Sequence, residues 1–196
     1  MNNPLRTLIK LGGSLLNVPN LGIQLRRWLD ANVPPESLLI VGGGALADVI
    51  RALDQNHRLS DEAAHALAIK CMATNTHLVC HLLPNSKIIE TPADMVKAWV
   101  EQQTPLLLPG DLFWQTSQAA RWVKPTWDFT SDSLAAAVAL AMQADELILL
   151  KSANAPNQPH YATWSEQGLV DRCFPSLAQI IPRVRIINAR ALWNAQ

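Results

Sequence analysis

The stretch Thr7-Leu8-Ile9-Lys10-Leu11-Gly12-Gly13-Ser14-Leu15-Leu16 decides how the rest of this chain is read. Its first half is a short apolar run of the kind that forms a buried strand. The run breaks at two glycines and then resumes. Lys10, near the strand end, is costly to bury without an anion beside it. Glycines lack a Cβ, so their turn lets backbone N–H groups approach such an anion closely. The stretch reads as a phosphate site or as an ordinary strand and turn with a snorkelling lysine, and alone it supports both equally.

Further along, Ser37 to Val41 reads as a second buried strand, followed at once by Gly42-Gly43-Gly44, with helix expected from Ala45 to Asp54. Strand, glycine turn and helix together point free N–H groups and the positive end of a helix dipole at a bound anion. Close strand–helix packing would require the same glycines. On either side, Arg6 to Leu11 is the first strand, and Leu21 to Ala31 is an amphipathic helix with Leu21, Leu25, Trp28 and Leu29 on one face. Pro34-Pro35 ends that helix. Ser60 caps a long helix from Asp61 to about Leu83. A short strand is expected at Lys87–Glu90, a helix from Thr91-Pro92 to about Gln102, and an apolar strand at Pro105–Pro109. Gly110 to Lys124, with Trp114 and Trp122, reads as a short strand and turn.

Pro125 to Ser133 is a polar turn that runs into an alanine-rich helix, Leu134 to Gln143. Thr130 or Ser131 is the expected N-cap, and Asp132 falls in the first turn, where favouring the helix dipole would be reason enough for a carboxylate. Glu146 to Leu150 is a buried strand ending at Lys151. Ser152 to Gly168 reads as a loop, Pro175 to Ile181 as helix, Arg183 to Ile187 as strand and Ala189 to Trp193 as a closing helix. The alternation predicts an α/β class: a three-layer α/β/α sandwich with a mainly parallel central sheet.

Composition narrows the function. The chain has 196 residues, 49% hydrophobic and 16% charged, which is globular. Lys plus Arg equals Asp plus Glu at 16 each, which argues against a broad nucleic-acid surface. Cys71, Cys80 and Cys173 are odd in number and form no CxxC pair, which argues against a disulfide framework. Met1 to Arg6 has no signal-peptide pattern and no apolar run is long enough to span a membrane, so a cytoplasmic protein without membrane contact is expected.

Three stretches, taken together and in order, resemble the amino acid kinase superfamily. They are Lys10-Leu11-Gly12-Gly13-Ser14, Val41-Gly42-Gly43-Gly44, and Asp128-Phe129-Thr130-Ser131-Asp132-Ser133-Leu134-Ala135 running into Glu146 to Lys151. The resemblance implies one domain over residues 1–196, with an acceptor-side lobe at about 1–124 and a nucleotide-side lobe at about 125–196. It also implies ATP as phosphoryl donor, Mg2+, a small-molecule acceptor and a homodimer or higher homo-oligomer, with the apolar helix from Ala63 to Leu83 as a candidate subunit interface. Ala47-Asp48-Val49-Ile50-Arg51 and Leu59 to His65, with the compact length, are similar to the short members. These include a methanofuran-pathway kinase acting on a phosphate monoester, (5-(aminomethyl)furan-3-yl)methyl phosphate.

By that resemblance Lys10, Asp132 and Lys151 are the catalytic residues, two lysines aimed by one carboxylate. Gly12, Gly13, Ser14, Lys151 and Ser152 are expected on the nucleotide, and Gly42, Gly43, Gly44, Arg51, Asp128 and Thr130 on the acceptor. Arg51, Arg58 and His65 suit an anionic acceptor, and Trp114, Trp122 and Trp127 are placed near its pocket. The chemistry is consistent: phosphoryl transfer has a loose transition state, so alignment and fixed positive charge do most of the work. Ser152 to Asn157 departs from the family's Asp-Gly-Val-Tyr type loop, and the end after Trp193 lacks its glycine-rich final strand. These departures motivate the alternative of a non-catalytic nucleotide- or oxyanion-binding or storage protein on the same fold. A nucleotide sensor is disfavoured because it needs no aligned transfer machinery, and a dinucleotide oxidoreductase because no GxGxxG follows a strand. His77, Cys80 and His81 have helical spacing, but Cys80 and His81 diverge by about 100° around a helix, and no metal ligand is assigned.

Overall fold

A computed structural model of the chain describes residues 6–110, 113, 118–156 and 160–194. Its centre is a six-stranded sheet in the order β3-β4-β2-β1-β5-β6, with every pairing parallel. The strands are β1 (Thr7–Leu11), β2 (Ser37–Val41), β3 (Ser86–Ile89), β4 (Thr104–Leu107), β5 (Glu146–Lys151) and β6 (Arg183–Asn188). The helices are α1 (Leu21–Asn32), α2 (Gly44–His57), α3 (Asp61–Leu82), α4 (Pro92–Val100), α5 (Ser131–Ala141), α6 (Tyr161–Glu166), α7 (Phe174–Ala178) and α8 (Ala189–Asn194). Ser60 caps α3 as expected, accepting from the Ala63 N–H. Thr91 and Asp94 form a capping box at the start of α4. Among the described residues, no helix is long and apolar enough to cross a membrane.

Side chains alternate across the strands, and both faces are covered. Leu8, Leu38, Ile40, Leu147 and Leu149 face one core, shared with α5, Trp164 of α6 and Phe174 of α7. Ile9, Leu11, Leu39, Val41, Ile148 and Leu150 face the other, against α1, Val79 of α3 and Trp193 of α8. The result is the three-layer sandwich expected from the sequence. Lys10 alternates with Ile9 and Leu11, so it shares the Leu8 face and points toward α5. That helix lies close because Ala135, Ala136, Ala137 and Ala139 are fully buried. A larger side chain there would push the helix off the sheet at a cost of about 1–3 kcal/mol.

The structure departs from expectation in two places. The segment read as an unbroken loop, Ser152 to Gly168, contains α6, whose Trp164 is buried in the core. The expected strand within Gly110 to Lys124 is replaced, where described, by a 3-10 helix over Gln118–Trp122. Trp122 packs against the core there, and Trp114 lies outside the described residues.

The chain leaves β1 toward β2 and later returns to β5 on its other side. Such a switch point opens a crevice at the carboxyl ends of the strands, the place where open α/β sheets bind ligands. Lys10 pairs with Ile40 and Leu149 across its neighbours, so β1, β2 and β5 end level.

Candidate active site

The sheet runs one residue past the strand ends. Gly12 donates its N–H to the Leu150 carbonyl at 2.8 Å, and Gly42 donates to Leu11 at 2.9 Å. Two expected backbone donors are therefore already committed, Gly12 toward the nucleotide and Gly42 toward the acceptor. Gly42 instead makes room: a Cβ there would lie 3.2 Å from Lys10 Cε and 3.1 Å from Ser131 Oγ. Among the described residues no acceptor meets the N–H groups of Gly13, Gly43 or Gly44. These are the donors left for a ligand.

The two turns touch each other. A Cβ on Gly13 would sit 2.2 Å from the Gly44 nitrogen. Gly44 has φ +52, a left-handed conformation that strains any residue with a side chain. Asn75, buried on α3, donates through Nδ2 to the carbonyls of Gly42 and Gly43, each at 2.8 Å. This turns the carbonyls inward and leaves the turn's N–H groups facing out.

Asp132, in the first turn of α5, lies between the two lysines. Lys151 Nζ donates to Oδ2 at 2.6 Å. Lys10 Nζ meets Oδ1 at 2.9 Å as an ion pair outside hydrogen-bond alignment. Lys10 and Asp132 are only 4% and 7% exposed in their side chains, and Lys151 15%. Burial alone would raise the carboxyl's pKa, but the two ammonium groups overcome it and hold Asp132 at about 2. Burial, and then the neighbouring Lys10 charge, lower the pKa of Lys151 against the pull of Asp132. Two cations share one anion, so the cluster holds one positive charge in excess in a desolvated place. Such a centre favours an arriving anion strongly.

A cavity of about 210 Å³ opens on the Lys10 side. Gly13, Gly43, Gly44, Arg51, Thr130 and Ser131 line it, with His65, Ile69, Met72 and Trp127. The first residues of α2 and α5 thus both face it, and two helix N-termini reinforce its positive character. Trp127 is braced: its Nε1 donates to Asp54 at 2.7 Å and the Arg51 guanidinium stacks 4.6 Å over its ring. Burial lowers the pKa of His65, which favours the neutral ring. A second cavity, of about 350 Å³, opens on the Lys151 side and is bordered by Asp132, Asp171, Trp127 and Thr130.

The structure brings most of the predicted site together. Ser14 and Ser152 share a hydrogen bond of 2.9 Å beside Lys151, and Arg190 donates to the Ser14 carbonyl at 2.8 Å. Two residues expected on the acceptor lie away from the Lys10 cavity. Asp128 borders the second cavity, where it faces Arg172 at 3.6 Å. Arg58 is the left-handed C-cap of α2 and lines neither cavity. Thr130 takes the N-cap position of α5 but makes no side-chain cap bond; its Oγ1 donates to Asp171 at 2.7 Å. Cys80 is half-buried against Ser86, while His77 and His81 are exposed.

Sequence reasoning missed Asn75, Asp54 and Asp171. Asn75 left a signal, an amide on the apolar stretch of a long helix. Asp171 left another, a carboxylate just before Phe174-Pro175, which reads as a helix start.

A positive crevice with free N–H groups at paired turns, at the strand ends of an α/β sheet, is equipped to grip a polyanion. The chain belongs to the amino acid kinase family, whose model matches residues 5–155. It is 28% identical over 143 residues to the [5-(aminomethyl)furan-3-yl]methyl phosphate kinase of Methanocaldococcus jannaschii, a match covering 72% of this chain and 63% of that protein. It thus spans less than two thirds of that relative's length. Among solved structures, the UMP kinase from Ureaplasma parvum superposes with TM-score 0.66 at 14% identity, covering 95% of this chain and 90% of that one. The uridylate kinase from Archaeoglobus fulgidus does so with TM-score 0.62 at 15% identity, covering 97% and 95%. At these identities the two structures speak for the fold alone.

Proposed function

We propose that this chain is an ATP-dependent kinase that transfers the γ-phosphoryl group to a small acceptor. The observation that carries the reading is the buried Lys10–Asp132–Lys151 cluster standing between two cavities with one positive charge in excess. ATP occupies the Lys151 side, with Ser14 and Ser152 on its phosphates and its γ-phosphate reaching the Gly13 N–H at the edge of the Lys10 cavity. The acceptor occupies the Lys10 cavity, near Gly43, Gly44 and Thr130. Lys10 and Lys151 neutralise the charge that spreads over the moving phosphoryl oxygens, and Asp132 keeps both ammonium groups ionised and aimed.

The acceptor is a phosphate monoester on a small flat body, of which (5-(aminomethyl)furan-3-yl)methyl phosphate is the leading instance. Three features support this. The 210 Å³ cavity is below the ~300–1,000 Å³ usual for drug-sized ligands. Trp127 offers a ring face, and Arg51 an anion partner. The similarity to the Methanocaldococcus enzyme points the same way.

Both cavities draw on Trp127 and Thr130, so the proposed boundary between acceptor and nucleotide lobes runs through the site. For Mg2+, the described residues offer no group of three or more His, Cys, Asp or Glu side chains. Both Asp132 oxygens already face lysines. The residues present thus do not form a dedicated Mg2+ site, and the ion is proposed to arrive on the nucleotide phosphates. Homo-oligomerisation is supported by Leu78 and Leu82, which remain exposed on α3.

The test is turnover of ATP with a panel of phosphate monoesters, in the wild type and in Lys10→Ala. Loss of this lysine is expected to cost about 2.7–4 kcal/mol of transition-state stabilisation, as for one oxyanion-hole donor, with the protein still folded. Full activity in Lys10→Ala would remove the mechanism. Tight ATP binding with no turnover on any acceptor would favour the binding or storage alternative.

A further inference from the structure

We propose that Asp171 is a positioning residue for the transfer centre: from the loop after α6, its carboxylate clamps the first turn of α5 and thereby holds Asp132 between Lys10 and Lys151. The proposal rests on the kinase reading above.

The contacts are dense and specific. Asp171 Oδ2 accepts from the Thr130 N–H at 2.9 Å, from Thr130 Oγ1 at 2.7 Å and from the Ser133 N–H at 3.0 Å. Oδ1 accepts from Ser133 Oγ, from the Cys173 N–H at 3.2 Å and from the Phe174 N–H at 3.1 Å. One carboxylate thus ties the start of α5 to the start of α7, capping both. Helices are ordinarily capped by the side chain of their own N-cap residue. Here that residue, Thr130, makes no such bond and is itself held by Asp171.

The difference has a consequence. A cap from the adjacent residue stabilises a helix but does not place it. A cap from 41 residues away fixes the position of α5 against the segment that leads into β6. Residues 130 and 133 are the anchored ones, and Asp132 lies between them. Asp171 also borders the cavity that contains Lys151. The charges facing Lys151 are Lys10 from β1, Asp132 from α5 and Asp171 from its loop, and the last favours the ammonium form.

Asp171→Asn keeps the shape and replaces one acceptor oxygen by a donor that faces other donors. The expected result is a kcat about 100-fold lower, as for a small misplacement of a catalytic group, with the KM values for ATP and acceptor nearly unchanged. Asp171→Glu is not expected to rescue it, because the longer carboxylate cannot meet both helix starts. Ser133→Ala removes a single donor and is expected to lower kcat in the same direction by less, which keeps the test open should Asp171→Asn fail to fold. A purely structural cap would lower the melting temperature and leave kcat per folded molecule unchanged, and that result would overturn the proposal.

Lysine Nζ NMR decides the matter without turnover. In Ser133→Ala, which loosens the clamp but leaves the Asp171 charge in place, the Lys10 and Lys151 Nζ signals are expected to shift as Asp132 moves between them. If the wild type transfers phosphate to no acceptor, the kinase reading fails while this shift still supports positioning. Unchanged Lys10 and Lys151 signals would refute it whether or not the protein turns over.

Discussion

Replacing Asp132 by asparagine tests the electrostatics of the site most directly. The carboxyl sits at about 2 in the folded protein against an ordinary 3.8, a difference that corresponds to about 2 kcal/mol of stability. The cause is a balance: burial pushes the value up, and Lys10 and Lys151 pull it further down. Because the folded value is the lower one, this contribution is fully present above about pH 4 and is lost as pH falls through about 2. The asparagine variant keeps the side-chain shape but leaves two desolvated ammonium groups without a counter-charge. Breaking a buried pair in this way costs about 3–5 kcal/mol. Part of that is recovered when Lys151, whose pKa burial and Lys10 already lower, sheds its proton. Urea unfolding of both proteins from pH 7 to pH 2 measures the effect. The gap between wild type and Asp132→Asn should be widest near neutrality and shrink by about 2 kcal/mol by pH 2 as the wild-type carboxyl protonates. A gap that does not change with pH, or a variant as stable as the wild type at pH 7, would refute the argument.

Two further predictions concern the surroundings of that cluster. In Gly13→Ala the new methyl would meet the Gly44 nitrogen at 2.2 Å, so the paired turns must separate; the expected outcome is a kcat/KM lower by about 100-fold with a native circular dichroism spectrum, and a near wild-type rate would count against the turns as the ligand's backbone donors. Burial lowers the His65 pKa from its ordinary 6.5, so the folded state resists protonation and loses stability as pH falls below about that value. His65→Gln should remove this part of the acid sensitivity, seen as a smaller drop in Tm between pH 7 and pH 5.5. Equal drops in the two proteins would refute it.

Much of the fold was legible because its signals are local. Apolar runs of strand length at Thr7–Leu11, Ser37–Val41 and Glu146–Lys151, each next to a glycine turn or a polar loop, declare buried parallel strands without reference to the rest of the chain. Ser60 and Thr91 announced their helix starts in the same way. Helix α6 was hidden because its six residues are too few to display a period, and what orders it is the burial of Trp164 in a core assembled from distant segments.

The site divides along the same line. Lys10, Asp132 and Lys151 were named from the sequence through the resemblance of their three motifs, taken in order, to the amino acid kinase superfamily; read locally, a strand-end lysine and a carboxylate in a first helical turn each have an ordinary explanation. Only the tertiary structure decided which groups are free to act. Gly12 and Gly42 carry the same chemistry as Gly13 and Gly43, yet the neighbouring strands take up their N–H groups. Asn75 and Asp171 look like ordinary polar residues until folding places them 2.8 Å from the turn carbonyls and 2.9 Å from the start of α5. The physical reason is that propensity and periodicity act over a few residues, whereas the partner of a buried hydrogen bond or charge is chosen by whatever the whole chain brings within about 3 Å of it.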